Sequence, residues 1–210
     1  MKKSKAILMA LCAVLLVAAS VMGTLAYLTS TASVTNTFTV GKVAITLDEA
    51  PVDADGQKTT GARVSANTYH LLPGHEYDKD PTIHVDEKSE DCYLFVKVEN
   101  GIAAIEDSTN TIAAQMAANG WTAVDGTTNV YAYKNVASTG DDVEVFKSFT
   151  ISGNVSNEKL AGTPAATTPD GETIPAVEGY DGATVVVTAY AVQADGFDTA
   201  AAAWTAANFS

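Results

Sequence analysis

The sequence predicts a mostly β protein: an antiparallel, jelly-roll-like sandwich with one or two short helices on its connections. Three observations carry that reading. Several short apolar runs alternate with a period of two. Turn signals built from Asp, Gly, Pro and Thr separate them. Only two stretches set helix formers between capping residues.

Taken in order, TNTFTVGKVAITL comes first, residues 35–47. Phe38 and Val40 alternate in one phase, and Val43, Ile45 and Leu47 in the other. The phase switches at Gly41–Lys42. A one-residue slip turns side chains to the opposite face, so the switch marks a bulge or a break between two strands. PVDADGQKTTG, 51–61, is a polar loop or hairpin tip. PTIHVDE puts Ile83 and Val85 on one face and His84 on the other, toward solvent. CYLFVKVEN is the clearest strand: Cys92, Leu94, Val96 and Val98 face one way, and Tyr93, Phe95, Lys97 and Glu99 the other. STNTIAAQMAANGW predicts a helix from Ile112, with Gly120 at its C-cap. NVYAYKNV and VEVFKSFTI read as strands. The segment 158–182 holds three prolines and four glycines and reads as an exposed loop. ATVVVTAYAVQ, 183–193, reads as a long central strand. A second helix is expected between Phe197 and Ala207, with Asp198 as its N-cap.

The N-terminus predicts export. Lys2, Lys3 and Lys5 precede an uncharged run from Ala6 to Leu28. A basic head, an apolar middle and small residues at the exit make a secretory signal, assigned to 1–26. Thr24 and Ala26 take the −3 and −1 positions of a cut before Tyr27. An uncut signal anchor is the rival reading, since about 20 apolar residues can span a bilayer. Leu11 before Cys12 argues against a lipoprotein cut, which wants a small residue there. The expected location is extracellular, in a matrix or at the cell surface, with membrane contact only before cleavage.

Composition narrows the function classes. Loss of 1–26 removes three lysines and no acid, leaving nine basic against 25 acidic residues, a net charge of −16. Nucleic acid is excluded as a partner on that balance, because phosphate binding needs a basic surface. Only Cys92 remains after cleavage, so no internal disulfide can form, and the residue reads as a small core side chain.

The signal ending GTLAYLT, followed closely by NTFTVGKVAITL, resembles substrates of the SipW-type signal peptidase of Gram-positive bacteria. LLPGHEYDKDPTIHV, 71–85, is similar to the Leu-x-Pro-Gly turn and strand of the TasA and camelysin family, with Pro73 and Gly74 at the turn. CYLFVKVEN and VVVTAYAVQADGF fall where that family has core strands. The resemblance covers most of the chain and is thinnest over 100–180. It implies a jelly-roll domain, here 42–210, exported to the surface. It also implies a subunit of biofilm fibres or a surface coat, partnered by like subunits. In the TasA type the freed N-terminal segment completes a sheet of the next subunit, a strand addition. Here that segment is 27–41, with Leu28, Val34, Phe38 and Val40 as its apolar anchors. The alternative is an ordinary first strand pairing within its own domain.

Burying four such side chains yields about 6–12 kcal/mol gross. Ordering eight residues costs about 8–16 kcal/mol, and each hydrogen bond returns ~0.5–1.5 kcal/mol. The sum lies near zero, so assembly is expected to depend on conditions. Salt would favour it by screening a charge of −16.

Two rival functions follow from the same residues. Camelysins carry a metallopeptidase label, but no H-E-x-x-H helix occurs. The metal candidates are His70, His75 and His84, with Glu76, Asp78 and Asp80 nearby; the alternative places them on a loop and a strand edge. No catalytic residue and no cofactor is assigned, apart from weak surface calcium or zinc. DADG, 53–56, starts like a calcium loop, but Gln57 breaks the pattern and a turn is expected instead. The other rival is a monomeric surface adhesin. Trp121, Trp204 and Tyr180 could stack on carbohydrate, with core packing as the alternative for the tryptophans.

Overall fold

The computed structural model describes residues 4, 5, 7, 9, 11–16, 41–167 and 173–209. The chain divides into two units, Met1–Val40 and Gly41–Ser210. In the first, the described residues between 4 and 16 are helical. Among the described residues no helix is long and apolar enough to cross a membrane. The cleavage positions Thr24, Ala26 and Tyr27 lie outside the described residues, as do Leu28, Val34, Phe38 and Val40.

The second unit is mostly β. Its first strands are β1 (Ile45–Asp48), β2 (Glu76–Asp78), β3 (Thr82–Val85) and β4 (Cys92–Asn100). Helix α1 (Ile112–Asn119) leads into β5 (Trp121–Ala123), β6 (Val130–Ala137), β7 (Asp142–Glu144) and β8 (Ser148–Thr150). Helix α2 (Asn157–Ala161), the short pair β9 (Ala166–Thr167) and β10 (Thr173–Ile174), β11 (Val185–Gln193) and α3 (Ala200–Ala207) complete it.

All named pairings are antiparallel. One sheet runs β11-β4-β6-β5 and another β1-β3-β7; β2 pairs with β8 and β9 with β10. The sheets form a sandwich and none closes into a barrel. The core lies between the faces that the alternation predicts. Cys92, Leu94 and Val96 are fully buried on β4, and Ile83 and Val85 on β3. The reading of Cys92 as a core side chain holds, and burial pushes its thiol up to about 11.

The other face of β4 is also covered. Phe95 is fully buried beneath Trp204 of α3, ring centroids 5.0 Å apart. Tyr190 and Phe209 complete the cluster, at 5.6 and 5.1 Å from Trp204. Trp121 is buried too, its indole N–H donating to the Glu144 carbonyl at 3.1 Å. Both tryptophans thus serve packing.

Helix α1 starts and stops as its sequence predicts. The Thr111 hydroxyl accepts from the Ala114 N–H, and Gly120 closes the helix in the left-handed region. Three expectations need correction. The N-cap of α3 is Thr199, not Asp198, because the Thr199 hydroxyl accepts from Ala202 N–H. The segment 158–182 is not all loop: Ser156 caps α2 and β9 pairs with β10 within it. The strand within 183–193 is not central. β11 pairs only with β4 and stands at the edge of its sheet.

Trp204→Ala should remove the cover from Phe95 and destabilise the unit by about 3–4 kcal/mol, the lower part of the range for a large aromatic cut to Ala. A urea unfolding midpoint measures this, and an unchanged midpoint would refute the role given to α3.

Candidate functional site: a groove at the open corner of the sandwich

The two main sheets end on touching strands, β1 and β11. At that corner the described residues leave the core incompletely covered. Val43, Ile45 and Leu47 on one side, and Val185, Val187, Ala189 and Ala191 on the other, pack on the core yet stay half-buried. Beside them opens a groove of about 1130 Å³. Leu47, Val185 and Val187 line it, with Leu72, Phe149 and Leu160 among its other apolar residues.

One wall is made by the Pro-Gly segment. Pro73 and Gly74 form a turn in which the His75 N–H donates to the Leu72 carbonyl at 3.3 Å. Gly74 has φ +73°, the left-handed value that the third position of a type II turn requires. The turn is docked on the strand region of β8 through Gly74 N–H to Ile151 O and Ile151 N–H to His75 O, 2.9 and 3.0 Å. Tyr77 pins it from below: its hydroxyl donates to His70 O at 2.6 Å and accepts from Leu72 N–H at 2.7 Å. Tyr77 stacks on Phe149 at 4.9 Å, and Tyr69 meets both rings edge-on.

Polar groups in this wall are satisfied from within. Lys79 pairs with Glu49 at 2.5 Å, both nearly buried, and the Asn67 amide donates to the other Glu49 oxygen at 2.9 Å. Burial, and then the Glu49 carboxylate, push the Tyr69 phenol well above its ordinary value. Among the described residues, a groove walled this way offers apolar surface beside strand edge that no named strand pairs. It suits an extended apolar polypeptide.

The three histidines lie in three different settings. His70 is exposed. The His75 ring sits 2.8 Å from the Asp55 carbonyl and edge-on to Tyr77. His84 does not face open solvent as expected; it is clasped between two carboxylates. Its Nδ1 lies 2.5 Å from Asp142 and its Nε2 2.8 Å from Asp48. Arg63 joins the same cluster, bonded to Asp48 and, at 3.2 Å, to Asp80, which also takes Lys58 at 2.7 Å. No group of three metal-capable side chains occurs among the described residues. The DADG segment is a turn: Asp53 accepts the N–H groups of Asp55 and Gln57 at 3.0 and 2.9 Å.

Burial pulls the His84 imidazole down, but hydrogen bonds to Asp142 and Asp48 and their charges outweigh it and hold the group above its ordinary value. A raised histidine contributes stability that is complete below its unfolded pKa, about 6.5, and fades as pH rises through the folded value. The clasp is partly exposed, so its contribution is about 0.2–1 kcal/mol. Heated between pH 6 and 8.5, the protein should lose about 1–3 °C of Tm that His84→Gln does not lose over the same span. Parallel profiles would refute the clasp. Gly74→Val should cost about 1–2 kcal/mol in the same assay, because a side chain resists the left-handed region.

No protein-family model, curated protein or solved structure matches this chain.

Proposed function

We propose that this chain is an exported structural subunit of extracellular fibres or of a surface coat, of the TasA and camelysin type. Each subunit takes the freed N-terminal strand of another into the uncovered corner between β1 and β11. The observation that carries this reading is the pairing of two half-covered sheet edges with an adjacent apolar groove. The chain also holds a segment suited to fill it. Residues 28–40 offer Leu28, Val34, Phe38 and Val40 among Thr, Ser and Asn, with no charge to bury. They lie behind a signal-type N-terminus, so cleavage by a SipW-type peptidase would release them. The jelly-roll architecture of the resembled family belongs to the same proposal.

The test pairs N-terminal sequencing of the exported protein with electron microscopy of the same sample. Fibres should form once the chain begins near Tyr27 and salt screens its charge, and a bulky N-terminal tag should abolish them. Phe38→Asp should leave the monomer folded by circular dichroism and stop assembly. Isolated particles from correctly trimmed protein, across pH and ionic strength, would overturn the proposal and favour a monomeric adhesin.

A further inference from the structure

Three side chains that the proposed assembly does not use meet in the groove wall. Glu49 follows β1, Asn67 lies in the loop before the Pro-Gly turn, and Lys79 joins β2 to β3. The Glu49 side chain is 5% exposed and that of Lys79 11%. Lys79 Nζ lies 2.5 Å from Glu49 Oε2, and Asn67 Nδ2 lies 2.9 Å from Glu49 Oε1. One carboxylate therefore holds an amine and a carboxamide side by side. A buried ion pair adds little net stability over apolar residues of the same volume. This one, however, keeps a primary amine out of water beside an acyl group.

The Asn67 amide is fixed end for end. Its Oδ1 accepts the Val52 N–H at 3.2 Å, and its Nδ2 also donates to the Ala50 carbonyl at 2.8 Å. A flipped amide would set donor against donor and acceptor against acceptor. Each atom thus has the partner that acyl transfer needs. The Val52 N–H polarises the carbonyl and can hold negative charge on Oδ1. Glu49 touches both the attacking nitrogen and the leaving nitrogen, which is the place of a general acid–base. A lysine shielded from water attacks as the free amine. All three side chains border the groove, which gives ammonia a way out.

We infer that Lys79 and Asn67 join in an intramolecular amide, an isopeptide crosslink that the chain forms by itself with Glu49 as proton carrier. Lys79 gives a proton to Glu49, and its lone pair attacks Asn67 Cγ. The Nζ–Cγ bond forms and the Cγ–Nδ2 bond breaks. Glu49 delivers a proton to Nδ2 and takes the second from Nζ, and Nδ2 leaves as ammonia. The step needs no oxidant. To reach Cγ, Nζ swings across from Oε2, a movement that the flexible four-carbon stem of lysine allows. The link closes residues 67–79 into a ring that contains Pro73 and Gly74. It fastens the groove wall covalently, whether or not the chain assembles.

Peptide mapping of the full chain by mass spectrometry tests this. Trypsin acts after Arg63, Lys79 and Lys88. The expected product is a single peptide 64–88, uncut at Lys79 and lighter than its sequence by one ammonia. Chymotrypsin, cutting at Tyr69 and Tyr77, should leave the two ends of that peptide joined. Separate peptides 64–79 and 80–88 at full sequence mass overturn the inference. Ammonia lost from a peptide that ends at a free Lys79 marks cyclisation of Asn67 on its own backbone, and overturns it too. Glu49→Gln should slow crosslinking about 10²–10⁴-fold, the ordinary contribution of a general acid–base. An unchanged rate overturns the proton-carrier role. Lys79→Arg keeps a cation for Glu49 but removes the attacking amine. That variant should yield 64–79 and 80–88 at full sequence mass, and ammonia loss that persists in it overturns the crosslink.

Discussion

Burial of β4 on both faces is the constraint on which the rest of this structure depends. Leu94 and Val96 enter the core on one side, and Phe95 enters the aromatic cluster under α3 on the other. The strand is also paired on both edges, with β11 and β6 flanking it. The nine-residue ladder between β4 and β11 then fixes which residues of β11 look inward. Val187 stands opposite Val98, Ala189 opposite Val96 and Ala191 opposite Leu94. Small side chains at 189 and 191 fill less of the space above β4 than Leu or Ile would, which fits a strand whose inward side chains remain half-exposed.

The site follows from the same constraint. With β4 inside, β11 falls at the edge, and the edge strand of the other sheet, β1, comes up against it. Among the described residues, neither strand spends both rows of its backbone groups on named neighbours over its full length. An unpaired edge of β-branched and apolar residues is a template for another strand. The surrounding polar groups do not fill that role. They form closed sets, Glu49 with Lys79 and Asn67, and Asp48 with Arg63 and His84, which stiffen the frame around the opening.

Much of the frame was readable from local pattern. Alternation in CYLFVKVEN found the core face of β4, and Thr111 with Gly120 bounded α1. Leu-Pro-Gly found a turn whose φ value is the one its glycine permits. What alternation cannot supply is a neighbour. The run VVVTAYAVQ is as apolar as an interior strand, yet it sits at an edge, because strand order is set by partners far away in sequence. The same holds for His84, whose two carboxylates lie 36 and 58 residues away. Its period-two position pointed it away from the core, correctly, but not at Asp48 and Asp142. The N-cap of α3 moved by one because Asp198 and Thr199 are both capping types, and helix ends read from sequence carry that ambiguity. Helix α2 was hidden by its five-residue length beside a proline-rich stretch.

The two cysteines are both unpaired, and the one in the sandwich has no solvent access. Packing, sheet pairing and ion pairs therefore hold this β unit together without a disulfide crosslink between its described residues. Thiol-rich, oxygen-poor surroundings dismantle extracellular domains that depend on sulfur crosslinks, but here they find no bond to reduce. Such a unit should keep its fold under reducing and oxidising conditions alike.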